Sequence, residues 1–370
     1  MRILFVGRPL KGHLYPIIAI YEEFKKTMDS SEFKSLEVKL ITAKSEFVKD
    51  ALDGINIPYS FIVSAKDRDS FSPLIILDFF KSIIGFIQSM FLVFNYMPDV
   101  IFSKGSIVSL PVILVGWIFR IPIVIHESDA VASPINKFMF KFAKKVAISF
   151  PNNKNIYISK KVFFAGNPTR SFIIRADKEE AKKSFVLHDE KPVLFIMAGT
   201  EGAKLINKLV IEILPDLLNK YQIIHQCGVL NYDYVRSIVQ KMNVSDLNDY
   251  HLFPYFKERA ADAYNACDLV ISRAGANTVS EIMTIGKPSV LIPLSMESSD
   301  KQQKNAYHYS QSGAAILVSE KNLKPHLLLN VINDLFKNHL KIIEMKRAAR
   351  KLAYNDAGKI IAEAIKELGD

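Results

Sequence analysis

The chain has 370 residues, 49% hydrophobic and 23% charged, with only 15 Gly and 16 Pro. That suits two buried cores and excludes a disordered, collagen-like or low-complexity protein. Two cysteines, Cys227 and Cys267, exclude a disulfide framework and a multi-cysteine zinc site, and point to a reducing compartment. The net charge is +10, and residues 1–165 hold 21 basic against 14 acidic side chains. An anionic partner is therefore sought on the first half, with solvated lysines as the plain alternative.

The opening MRILFVGRPLKGH has too short an apolar run for a signal peptide and no small-residue cleavage site, so a cytosolic protein is expected. RILFVG reads as a strand, RPLKGH as a polar loop, LYPIIAIYEEFKK as an amphipathic helix and EVKLITA (37–43) as a second strand. Asp67-Arg68-Asp69 matches the D-x-D pattern of metal-dependent sugar transferases, but its charged neighbours make it a solvated loop. Residues 71–98 are strongly apolar, and the 17 residues from Ser82 to Pro98 carry no charge. That is the short edge of the transmembrane range, and Gly85, Gln88 and Asn95 interrupt it. The expected arrangement is a helix with an exposed patch including Phe86, Phe91 and Phe94. Lys137, Lys141, Lys144 and Lys145 lie further along, and apolar patch plus lysines suits a protein resting on an anionic bilayer. A buried helix of an α/β domain is the competing reading.

DVIFS (99–103), IPIVIHE (121–127) and KVAISF (145–150) continue the strand series without hairpin spacing, which predicts a parallel, Rossmann-like half. The pattern restarts after GNPTR with KPVLFIMAG (191–199), YQIIHQCG (221–228), ACDLVISRAG (266–275) and KPSVLIPL (287–294). The expected division is 1–165, 166–345 and a helical segment 346–370. No short repeat is present.

In such sheets ligands sit at the carboxyl ends of the strands. Gly199 and Gly202 flank Thr200 in a loop leading into a helix, whose N–H groups suit a diphosphate; alone, a G-x-x-G is a weak signal. The lysine-serine pair of a P-loop is missing, which excludes that class of NTPase. Gly275 and Ala276 open another helix, where Thr278 and Glu281 stand at capping-box spacing; Glu281 is either that cap or a ribose-binding carboxylate. Gln302 and Gln303 either read sugar hydroxyls or are exposed. In the first half, His13 stands beside Gly12 at the mouth of the first loop, where a general base belongs. Lys104-Gly105-Ser106 and His126-Glu127-Ser128-Asp129 end two more strands of that half. No histidine pair has metal-binding spacing.

These residues resemble the MurG family of GT-B glycosyltransferases, which move N-acetylglucosamine from its UDP derivative to a lipid-linked muramyl peptide. The likeness spans nearly the whole chain. It rests on GH-x-x-P, SKGSIVSLP, HESD, INK, GNPTR, AGTEGA, IHQCG, and above all ISRAGANTVSEIMTIGKPSVLIPL followed by DKQQKNA. The resemblance implies two Rossmann-like domains across a cleft, with the C-terminal helix packing back on the first. It implies His13 as base or as the group steadying the acceptor near the donor diphosphate, Thr200 on the diphosphate, Glu281 on the ribose, Phe256 and Lys257 gripping uracil largely through backbone, Gln302 and Gln303 on the sugar, and Arg170 at the cleft. Leu10, Lys11, Gly12, Gly105, Ser106, Asp129 and Asn136 fall on the acceptor side. It further implies a metal-independent, inverting reaction in peptidoglycan synthesis at the cytoplasmic face of the membrane, on the anionic inner leaflet, with a UDP-sugar donor, a lipid-linked undecaprenyl-diphosphate acceptor and no nucleic acid.

The departures are on the acceptor side. The family's G-G-T-G-G-H is here Arg8-Pro9-Leu10-Lys11-Gly12-His13, its second glycine loop is Lys104-Gly105-Ser106, and H-E-Q-N is H-E-S-D. The alternatives are a sister transferase acting on another polyprenyl or glycolipid acceptor, and a non-catalytic UDP-sugar-binding membrane partner.

Overall fold

Ile3, Leu4, Phe5 and Val6 are successive and all fully buried, because a parallel strand covered by helices has no solvent face. That strand, β1 (Arg2–Val6), lies in the interior of a seven-stranded sheet with β2 (Glu37–Ala43), β3 (Tyr59–Ile62), β4 (Val100–Ser103), β5 (Ile123–Glu127), β6 (Lys145–Ile148) and β7 (Val162–Phe164). Every pairing is parallel and the order is β3-β2-β1-β4-β5-β6-β7. The computed structural model describes residues 1–65, 75–150, 159–170, 172–175, 177–199, 202–242, 247–257, 259–296 and 299–370. Asp67-Arg68-Asp69 and Thr200 lie outside these.

The second sheet comprises β8 (Val193–Met197), β9 (Gln222–Gln226), β10 (Tyr250–Phe253), β11 (Leu269–Ser272), β12 (Ser289–Leu291) and β13 (Ala315–Leu317). Its order, β10-β9-β8-β11-β12-β13, repeats the first sheet's pattern of two strands to one side of the first strand and the rest to the other. The predicted central strands are present in both sheets. Sequence patterning passed over β3, β7, β10 and β13, which are the four edges. An edge strand is covered less: β10 is half-buried along its whole length and so lacks a continuous apolar run.

Met1–Arg170 and Tyr354–Asp370 form one unit, and Ser171–Ala353 the other. Residues 166–170 therefore lie with the first unit and 346–353 with the second, against the expected divisions at 165 and 345. The C-terminal helix, Ala357–Gly369, sends Ile361, Ala362 and Ile365 into the same core as Leu14, Ile17, Ile18 and Phe24 of helix Lys11–Thr27.

Helix Ile75–Tyr96 is fastened to the first unit by the residues that interrupt its apolar run. A Cβ on Gly85 would come 2.2 Å from the Val63 carbonyl oxygen, so only glycine permits this approach. Gln88 Oε1 accepts from the Val63 N–H at 2.7 Å, and Ser89 and Val93 are buried. Phe91 and Phe94 are 67% and 62% exposed, with Phe79, Phe80 and Ile87 beside them in exposure. Phe86 departs from expectation: it packs against the core of Val93, Val108 and Val112, because it shares the face of Gly85 and Ser89. Lys141 and Lys144 are exposed.

Candidate active site

In the first unit, the strand order reverses between β1 and β4, and the loops there carry the expected acceptor-side residues. Lys11, Gly12 and His13 are not in a loop: they form the first turn of helix Lys11–Thr27, after Leu10 as N-cap. No side-chain hydrogen bond caps that helix end, and the His13 N–H bonds back to the Leu10 carbonyl at 2.9 Å. None of residues 7–13 has positive φ, which explains how Arg8, Pro9, Leu10 and Lys11 are accommodated where glycines were expected. Gly7 packs closely on this turn, since a Cβ there would lie 3.2 Å from His13 Cβ and 3.2 Å from Ile17 Cδ1.

The loop after β4 is a strained turn. Gly105 has φ +78° and Ser106, a non-glycine, φ +86°. Asn136 pins it: its Oδ1 accepts from the Ser106 N–H at 2.9 Å, while its Nδ2 donates to Glu127 Oε2 at 2.7 Å. Glu127 Oε1 accepts from the Asp129 N–H at 3.0 Å. The HESD turn and the KGS turn are thus one hydrogen-bonded assembly. Lys104 lies beneath it, 2% exposed, its Nζ 2.7 Å from His126 Nδ1 and 3.3 Å from Asn167 Oδ1. Burial pulls the Lys104 ammonium down to about 7, against the opposing pull of Glu127 and Asp129. Burial, then the Lys104 charge, pushes His126 well below the ordinary histidine range. Arg170 lies in this unit, its guanidinium stacked 4.0 Å over the Tyr15 ring.

In the second unit, the corresponding reversal falls between β8 and β11. Gly199 needs glycine only for its φ of +80°, since a Cβ would meet nothing within 4 Å. Gly202 needs it twice over: φ is +93° and a Cβ would strike Asn231 Nδ2 at 2.0 Å. Helix Lys204–Leu218 follows. Gln226, to which sequence reasoning gave no role, donates to the Gly199 carbonyl at 3.1 Å and accepts the Phe256 N–H at 3.1 Å. It ties the expected diphosphate loop to the expected uracil segment. The Phe256 ring is buried among Phe185, Phe195 and Phe253, so only its backbone can face a base; Lys257 is exposed.

Helix Ala276–Ile285 has Gly275 as N-cap, without a side-chain cap bond. Thr278 is therefore inside the helix, and the capping-box reading of Thr278 and Glu281 fails. Glu281 Oε2 instead accepts from the hydroxyl of Tyr264, at 3.1 Å. Gln302 and Gln303, in helix Asp300–Gln311, both grip the peptide of Leu294: Gln302 Oε1 accepts its N–H at 3.3 Å and Gln303 Nε2 donates to its carbonyl. Neither is simply exposed, and each keeps one end of its amide outside these bonds. Arg273 joins the same edge through Glu320, 2.6 Å away, which also accepts the Ser295 N–H at 2.9 Å. Among the described residues, no three His, Cys, Asp or Glu side chains gather as a metal site.

The glycosyltransferase family 28 N-terminal domain model matches residues 11–148, and the C-terminal domain model of the same family matches 193–367. The chain is 32% identical over 358 residues to a UDP-N-acetylglucosamine–N-acetylmuramyl-(pentapeptide) pyrophosphoryl-undecaprenol N-acetylglucosamine transferase of Legionella pneumophila (strain Paris), covering 95% of this chain and 94% of that one. The chain belongs to the MurG family of glycosyltransferases. A Bacillus cereus enzyme of that name, numbered 2, is 33% identical over 367 residues, covering 99% of each chain. The crystal structure of MurG from Acinetobacter baumannii has a TM-score of 0.75 at 22% identity and 99% coverage of both chains, which shows the shared GT-B fold.

Gly199, Gly202, Phe256, Gly275, Ala276, Glu281, Gln302 and Gln303 belong to loops and helix starts at one end of the second sheet, while Arg170 belongs to the first unit. Gln226 and Tyr264 are given no role by sequence because their partners are distant in the chain, and Lys104 figures there only as part of the KGS turn.

Proposed function

We propose that the chain transfers N-acetylglucosamine from UDP-N-acetylglucosamine to a muramyl-pentapeptide carried on undecaprenyl diphosphate. The observation that carries this reading is identity of 32–34% to transferases so named, over more than nine-tenths of the chain. The second unit supports it, since it offers the parts a UDP-sugar needs. These are a helix start behind Gly202 for the diphosphate, the Glu281 carboxylate for ribose hydroxyls, the Phe256 backbone for uracil and the amides of Gln302 and Gln303 for the sugar.

The acceptor hydroxyl loses its proton to His13 and attacks the anomeric carbon from the face opposite UDP, inverting it. The bond from that carbon to the diphosphate oxygen breaks, and the charge left on UDP is met by helix N–H groups. No metal is assigned a part, and activity is expected to survive EDTA. The enzyme works as a peripheral protein on the anionic cytoplasmic leaflet, where the exposed face of helix Ile75–Tyr96 and Lys141 and Lys144 meet lipid. By length and composition alone Asp78–Tyr96 is apolar enough to cross a membrane. Its fastening through Gly85, Gln88 and Ser89 favours lying on the surface. Turnover of radiolabelled UDP-N-acetylglucosamine with the lipid-linked acceptor tests the reading; transfer only to a different lipid-linked acceptor, or none, overturns it.

A further inference from the structure

Lys104 is out of place by the ordinary rules of burial. A methionine of the same length would fill its site without desolvating a charge, and an isolated buried ammonium costs several kcal/mol. Its surroundings show what the charge does. Lys104 Nζ donates to His126 Nδ1 at 2.7 Å, which makes that nitrogen the acceptor and leaves the proton of a neutral ring on Nε2. His126 Nε2 is 3.0 Å from the Gly166 carbonyl and 3.0 Å from Ser149 Oγ, and the Ser149 hydroxyl is itself 3.2 Å from the same carbonyl.

Gly166 is a fixed turn, at φ +85° with a would-be Cβ 2.9 Å from Tyr354 Cβ. Immediately after it, Asn167 Oδ1 accepts from Lys104 at 3.3 Å, and Arg170 lies over Tyr15, two residues beyond His13. One ammonium thus ties the ends of β4 and β5 to the segment running to Arg170. We propose that Lys104 is a positioning residue for the transferase reaction: it holds His126 in its Nε2–H form, and that form anchors Gly166 and with it the segment Asn167–Arg170. The inference rests on the transferase reading above.

The groups that bear on the pair are Glu127 and Asp129, which favour the Lys104 charge, and His13, which disfavours charge on His126. With Lys104 near 7, its proton is exchangeable in the neutral range, so the positioning has a pH dependence of its own.

The test uses the full chain with Lys104→Met, which removes donor and charge, and Lys104→Gln, which keeps an N–H for His126 but cannot titrate. Imidazole nitrogen NMR of the wild type should show His126 with its proton on Nε2, unchanged in Lys104→Gln and altered in Lys104→Met. Turnover should fall by about tenfold or more in Lys104→Met and be largely restored in Lys104→Gln. The kcat–pH profile of both variants should differ from wild type near pH 7, where the Lys104 charge no longer changes, while the dependence due to His13 remains. Wild-type tautomer, turnover and pH profile in Lys104→Met overturn the proposal. If Lys104→Met does not fold, a kcat–pH profile in Lys104→Gln that superimposes on wild type overturns it. If the wild type transfers no sugar, the transferase reading has failed, and the His126 spectrum alone decides whether Lys104 sets the tautomer.

Discussion

The hydroxyl of Tyr264, a residue with no exposed surface, donates to Glu281 Oε2 across 3.1 Å, from the helix before β11 to the helix after it. One carboxylate oxygen is thereby held by a neighbouring helix, in a helix whose N-cap is Gly275 rather than Thr278.

Glu281→Ala should weaken UDP binding by tenfold or more, because each charge-assisted hydrogen bond to ribose is worth roughly 1.5–3 kcal/mol. Tyr264→Phe should weaken it by about threefold to tenfold through loss of orientation, with Glu281 still present. Titration calorimetry with UDP checks both. Unchanged binding with a lowered Tm in Glu281→Ala would leave it a structural carboxylate.

His13→Ala should lower turnover by about 100-fold or more while leaving donor affinity nearly unchanged. A kcat equal to wild type across pH 6–9 would remove it as the base.

Burial pushes His225 down to about 3 in the folded chain, where Nδ1 meets the Tyr250 hydroxyl at 2.8 Å and Nε2 meets Asn207 Oδ1 at 3.1 Å. Unfolded, the ring titrates near 6.5. Between these values the unfolded chain binds the extra proton, so stability is lost as pH falls from about 6.5 towards 3, by up to about 1.4 kcal/mol per pH unit. His225→Gln should flatten that slope in urea unfolding. A slope identical to wild type would mean His225 contributes none of it.

Phe79→Ser, Phe91→Ser and Phe94→Ser together should abolish co-sedimentation with anionic vesicles while sparing UDP binding, since these rings are mostly exposed. Phe86→Ser should instead lower stability by about 2 kcal/mol, because that ring packs into the core. Wild-type binding should release substantially at about 0.5 M salt, where the screening length is a few Å. Retention through high salt and alkaline carbonate would mean a spanning helix, and no binding at any salt would remove the membrane role.

The doubly wound fold was legible from residue order alone. Central parallel strands are buried on both faces, so RILFVG, IPIVIHE and KPVLFIMAG announce themselves as apolar runs, and the glycines and ISRAGANTVSE mark the carboxyl edge of the sheet. Local pattern ends there. The edge strands are half covered and short: β7 and β13 have three residues each, and β10 carries a histidine within it. Which face of helix Ile75–Tyr96 looks outward was decided by Gly85 and Gln88 meeting Val63, a contact between two elements. The capping-box spacing of Thr278 and Glu281 was misleading because the helix begins earlier, at Gly275, and Glu281 turned to a tyrosine 17 residues away. Lys104 meets His126 across 22 residues, since β4 and β5 are neighbours in a parallel sheet and their carboxyl ends lie side by side. Spacing in the chain records what a residue can do for its own helix or strand. Hydrogen bonds that cross between strands depend on register and crossover, and only the folded sheet sets those.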